Sequence, residues 1–232
     1  MDQSSTSALL QGAVRDLATG VASALASGGH DPVGGDTTVT VGTGSHTLAA
    51  VRVLGADLLL PHVLFGTPVD PDTAALFRKA VDAYPPRADA APTVVWSHWA
   101  MARTLRRLDP GPLAGESGAE PDAGWLHDAP WQVLTHQLAV LAPLALPDED
   151  HAVARAARRR PVDVARGFVR AVRRRDWVQA AGAGRWLTLL DGVPDTLGLE
   201  AGLVFTELMG GGDPRVALQV GAARRVRAGA LV

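Results

Sequence analysis

Apolar residues recur along this chain at helical spacing, and almost nowhere at the alternation of a strand. Leu10, Val14, Leu17, Val21 and Leu25 form one stripe, ended by Gly28-Gly29. Spacings of three and four put side chains on one face of a helix. Leu48, Val51, Leu54 and Leu58 continue the pattern to a predicted stop or kink at Pro61. Asp70-Pro71-Asp72 opens a helix with Leu76, Phe77, Ala80, Val81 and Tyr84 inward, and Pro85-Pro86 closes it. Val95, Trp99, Ala102, Leu105 and Leu108 predict another. Asp128 is the expected cap of a helix with Trp131, Leu134, Leu138 and Leu141 inward. Asp148–Arg160, a helix from Pro161 burying Val164, Phe168, Val169 and Val172, a helix capped by Asp176, then 196–209 and 214–227 complete the series. Thr37–Val41 is the one short alternation, too little for a sheet.

The expected fold is therefore all-α, about nine or ten helices packed as αα-hairpins, with one Gly-rich irregular segment (31–45). An α/α-toroid-like or helical-repeat-like arrangement is compatible with it. At an offset of 37 residues Phe168, Asp176, Ala180 and Gly184 match Phe205, Asp213, Ala217 and Gly221. Two copies are fewer than a solenoid needs. The chain of 232 residues fits a single domain, 1–232. A subdivision is also readable, into an acidic part (1–110) and a basic part (125–232) joined by a flexible loop (109–124). Residues 1–147 carry 8 basic and 14 acidic groups, and residues 148–232 carry 14 and 10, so the overall charge of −2 covers an uneven distribution.

Composition narrows the chemistry. The absence of Cys excludes disulfides, Cys-bound zinc, iron–sulfur clusters and thiol nucleophiles. There is no Ile or Asn, and 21 Arg stand against the single Lys79. That is the codon bias of a very GC-rich genome, and it implies an actinobacterial source. No basic stretch precedes the first apolar residues, and the apolar segment Val133–Leu146 is interrupted by Thr135, His136 and Gln137. A cytoplasmic location and no membrane partner are the expectation.

Two clusters could carry function. Trp96, His98, Trp99, Trp125, His127, Trp131 and His136 lie within 41 residues. Trp96, Trp99, Trp125, His127 and Trp131 are the candidate ligand-binding wall, and His136 or His98 the candidate general acid–base catalyst. The competing reading is ordinary core, since Trp99 and Trp131 sit on apolar stripes. The second cluster is basic. Arg155–Arg185 holds ten Arg against Asp163 and Asp176. Arg158, Arg159, Arg173, Arg174 and Arg175 are the candidate partner-binding residues, for an acidic peptide or an acidic carrier protein. The competing reading is solvated helix ends that suit the negative end of the helix dipole. Nucleic acid is disfavoured because no recognition helix accompanies the charge.

Other motifs are missing. No His pair stands at i, i+4, and no HExxH or metal–diphosphate box occurs. Asp148-Glu149-Asp150-His151 reads as acids at a helix start. Gly42-Thr43-Gly44-Ser45 lacks the Lys of a phosphate-binding loop, and Ser97 lacks a nucleophile elbow. Neither a metal nor a cofactor is expected.

Trp131–Leu138, with its Thr135-His136 pair, and Arg173-Arg174-Arg175-Asp176-Trp177 resemble segments of all-helical, α/α-type proteins of unassigned function encoded in actinobacterial natural-product gene clusters. The likeness covers about a tenth of the chain. The family pattern has an aromatic residue three or four places after the His, where this chain has Ala139 and Val140. The resemblance implies a role in natural-product metabolism. Together these readings predict a helical binding or accessory protein for a peptide, carrier protein or small ligand. The alternative is a metal-free enzyme with a Trp/His-lined pocket for acid–base catalysis or cyclisation. A homodimer is compatible with either.

Overall fold

In the computed structural model, residues 3–28, 45–109 and 118–229 are described. The Gly-rich segment, Thr37–Val41 included, lies outside them up to Ser45, as does 110–117 of the loop. Among the described residues the fold is all-α, with about ten helices, short 3-10 turns and no strand. The chain divides into two compact units, 1–119 and 120–232.

In the first unit, α1 (Gln3–Ala26) packs on α2 (Ser45–Leu54), which packs in turn on α4 (Pro71–Ala83). Val14, Ala18, Val21 and Leu25 are the buried face of α1. A buried 3-10 turn, Gly55–Leu59, links α2 to α3 (Leu60–Phe65). The break falls at Gly55, not at the expected Pro61. Gly55 has φ +64°, which a side chain resists. Pro61 instead occupies the first turn of α3, where its missing N–H costs nothing. The stretch Ser45–Phe65 is long and apolar enough to cross a membrane by length and composition, yet 61% of its most apolar window is buried, as in a core helix. Asp70 caps α4, its carboxylate accepting from the N–H of Asp72 (3.0 Å) and Thr73 (3.1 Å). The inward face of α5 (Pro92–Leu108) carries Trp96, Trp99, Met101 and Leu105, so the stripe is rotated from the one expected through Val95 and Ala102.

The second unit is organised around α9 (Trp177–Leu187), which packs against α6 (Trp131–Val140), α8 (Pro161–Arg173), α10 (Leu199–Gly210) and α11 (Pro214–Gly229). Every residue from Ala180 to Leu187 is buried, Arg185 included. Only small residues let four helices share one. A Cβ on Gly182 would stand 2.8 Å from the carbonyl oxygen of Ala139, so α6 and α9 touch backbone to backbone. Likewise a Cβ on Gly167 would fall inside the Thr135 side chain, which fixes α6 against α8. Arg185 donates to Ala145 O (3.1 Å) and Gln219 Oε1 (2.9 Å). Trp186 Nε1–H donates to Leu138 O at 2.7 Å.

Helix starts differ in two places. α7 (Ala152–Arg158) is capped by His151, which is buried. Its Nδ1 accepts from Ala154 N–H (3.1 Å), so its Nε2 carries the proton donated to Leu144 O (3.1 Å). His151 is thus a structural cap, not a member of an acid/His cluster. At α6 the expected Asp128 cap is absent: Pro130 stands at the N-cap with no side-chain bond, and Asp128 is exposed. The 37-residue repeat survives as capping only. Asp176 and Asp213 each accept from a following N–H, but Phe168 is 2% exposed and Phe205 45%.

Candidate functional site

The predicted Trp/His wall is divided between the two units. In the first, Trp96 is buried and meets Trp99 edge to face, with centroids 5.1 Å apart. Trp99 lies under the Arg103 guanidinium (5.0 Å) and donates from Nε1 to Gly118 O (3.3 Å). His98 Nε2 stands 3.2 Å from Val81 O, so the nitrogen carries the proton and ties α5 to α4. These three side chains are packing and cross-links of the first core.

In the second unit Trp125 is half-buried and donates to Asp122 O (3.2 Å). His127 is exposed, and its Nε2 accepts from Arg159 (3.4 Å). Trp131 opens α6, half-buried, with the Arg170 guanidinium 5.6 Å from its ring centroid. Its backbone is held by Thr135, whose hydroxyl donates to Trp131 O at 2.8 Å. His136 is exposed, one turn further on, and its Nδ1 lies 3.2 Å from Gln179 Oε1.

Two depressions meet at the Trp131–Arg170 pair. One is an open groove of about 530 Å³ along α8. Its floor includes Val162, Ala165, Val169, Pro194 and Leu197, and Arg166, Arg170 and Arg173 rise beside it. Val162, Ala165 and Val169 recur at helical spacing, so α8 carries a second apolar stripe beside the buried Val164 and Phe168. This corrects the expected burial of Val169 and Val172: both are half-exposed. The other is a polar well of about 210 Å³, lined by Gln132, Gly167, Arg174, Asp176 and Gln179 as well as the shared pair.

The candidate partner-binding arginines fall into two kinds. Arg158 donates to Asp150 (3.1 Å) and to Glu149 O (2.7 Å), and Arg155 reaches Asp150 (3.1 Å) and Glu120 (3.4 Å). Desolvation raises the Asp150 pKa, but hydrogen bonds and charge from Arg155 and Arg158 outweigh it and hold the carboxyl below its ordinary value. Arg159 is taken up by His127. Arg173, Arg174 and Arg175 are all exposed, and among the described residues no ion pair joins them to an acid. Arg175 has φ +58°, ending α8 as a left-handed residue, and Asp176 N–H then bonds Ala171 O (3.0 Å). No group of three His, Asp or Glu that could hold a metal occurs among the described residues. The arrangement offers cations, one aromatic face and an apolar floor. That is the chemistry of holding an anionic, partly apolar segment.

No family model, curated protein or solved structure matches this chain.

Proposed function

We propose that this chain is a helical binding or accessory protein that docks an acidic, amphipathic segment of a partner protein in the α8 groove of its second unit. One observation carries the reading. An apolar stripe on α8, accessible at Val162 and Val169, is bordered by Arg166, Arg170 and Arg173, and Arg174 lines the adjoining well. The stripe would bury the segment's Leu-like side chains at about 25 cal/mol per Å². The cations favour acids at its edges and exclude basic segments. Shallow, open geometry suits a helix laid in a groove. The resemblance of Trp131–Leu138 and Arg173–Trp177 supports setting this docking in actinobacterial natural-product metabolism, and the cations beside the groove favour an acidic carrier protein as the partner.

The enzyme alternative gains no specific support. His98 spends its Nε2 proton on a backbone carbonyl, and His136 bonds a glutamine amide. Both bonds hold a ring in place, and the two imidazoles belong to separate units.

The test is an anisotropy titration with a fluorescein-labelled amphipathic peptide, Leu on one helical face and Glu on the other. Micromolar binding that weakens with salt, and that Val169→Asp abolishes, is the expected result. Equal binding of a Leu/Lys peptide, or no binding of either, overturns the reading.

A further inference from the structure

The polar well beside the groove is built around the start of α9. Asp176 caps α9 by accepting from Gln179 N–H at 3.1 Å. In an ordinary capping box the residue three places on returns the favour, its side chain accepting from the cap's own N–H. Here that N–H is already spent on Ala171 O, because α8 ends in the left-handed Arg175 immediately before the cap. The Gln179 side chain is thereby released, and His136 from α6 takes its Oε1 at 3.2 Å. An imidazole facing an amide oxygen donates, so His136 carries its proton on Nδ1. With its oxygen engaged, Gln179 keeps two amide N–H groups on a side chain that lines the well.

The charges around the well are Arg170 and Arg174, one turn apart on α8 and its end, against the single carboxylate of Asp176. The balance is one positive charge, matched by one carboxylate. Trp131 and Arg170 form the wall between this well and the apolar groove. A ligand filling both carries an anionic group directly beside an apolar one.

We propose that the well is a carboxylate subsite: one acidic side chain of the docked segment is received by Arg170, Arg174 and the Gln179 amide, with His136 as the positioning residue that turns Gln179. The proposal rests on the docking reading above and adds the anchor that gives it selectivity. Asp176 remains a cap throughout and repels a second acid at the same place. The groove then reads a sequence, an aliphatic residue adjoining one acid, rather than overall charge.

The experiment uses the full chain and the labelled Leu/Glu peptide, with each Glu replaced in turn by Gln. At one position the replacement is expected to weaken binding about tenfold, within the range for a charged hydrogen-bonded contact. Arg174→Gln should weaken the Glu peptide about tenfold and leave that Gln peptide unchanged. Arg175→Gln, on the next residue outside the well, should change either by less than about threefold, as exposed charges do. His136→Ala should weaken only the Glu peptide. His136→Asn, whose amide can still donate to Gln179, should restore part of the loss. Circular dichroism and melting checks confirm that each variant is folded. Equal effects of Arg174→Gln and Arg175→Gln, with every Glu equivalent, would leave a diffuse basic surface and overturn the subsite while the groove stands. Failure of the unaltered chain to bind the peptide overturns the docking reading and the subsite together.

Discussion

Arg158-Arg159-Arg160 closes α7 and Arg173-Arg174-Arg175 closes α8, fifteen residues later. The two triplets have the same composition, the same place at a helix end and the same favourable sense toward the helix dipole. In the first each member has a partner, although Arg158 and Arg159 are as exposed as the second triplet. Arg158 is bound by Asp150, Arg159 by His127, and Arg160 by Asp163 (2.7 and 2.8 Å) and the carbonyls of Ala129 (2.6 Å) and His127 (3.3 Å). The second triplet is exposed, and its members have no acidic partner among the described residues. What separates them is the neighbourhood. The first lies against residues 120–129 and 149–150, which bring acids and free carbonyls; the second ends in a tight left-handed turn that points the next residues into α9. A run of arginine in sequence therefore says little about function until its partners are known.

The largest expected effect is on the structural triplet. Arg160→Ala removes a mostly buried guanidinium that holds the segment before α6, and leaves Asp163 and several carbonyls short of donors. A loss of about 2–3 kcal/mol in the stability of the second unit is expected from urea denaturation. A change below about 0.5 kcal/mol would mean the triplets do not differ as described. Next comes charge reversal in the open triplet. Arg173→Glu with Arg174→Glu should leave stability within about 0.5 kcal/mol and weaken the acidic peptide by about 10–100-fold. A destabilised protein with unchanged affinity would invert the comparison.

A smaller effect concerns the turn itself. Arg175 pays about 1–2 kcal/mol for its left-handed backbone, so Arg175→Gly should raise stability by about 1 kcal/mol while retaining peptide binding. The smallest is an acid dependence. The lowered Asp150 pKa means that its pairing with Arg155 and Arg158 stabilises the fold above the ordinary carboxylate range. That contribution fades as pH falls through the lowered folded value. Asp150→Asn should flatten the acid limb of stability measured by denaturation against pH, and an unchanged limb would assign that dependence to other acids.

Much of the helical order was readable from spacing, because Asp70, Pro71, Pro161 and Asp176 act locally at helix starts. The misses have tertiary causes. The break at Gly55 and the rotated face of α5 depend on which neighbours close over them. His151 as a cap was hidden by three acids before it, and Asp128 looked like a cap but Pro130 took the position. The groove is not legible in the sequence because Val169 and Val172 read as core alongside Val164 and Phe168, and only tertiary packing leaves Val162 and Val169 accessible. The Ala180-Ala181-Gly182-Ala183-Gly184 run of α9 could have signalled a helix crowded on several sides. Trp131 and His136 stand out in the sequence, whereas the side chains that meet them, Arg170 and Gln179, are far away in it.

Hydrogen–deuterium exchange on the full chain, with and without the Leu/Glu peptide, tests the central claim most directly. Docking in the groove predicts slowed exchange in 162–175 and 194–197 and none in 152–160. Protection confined to 152–160, or to the first unit, would contradict it.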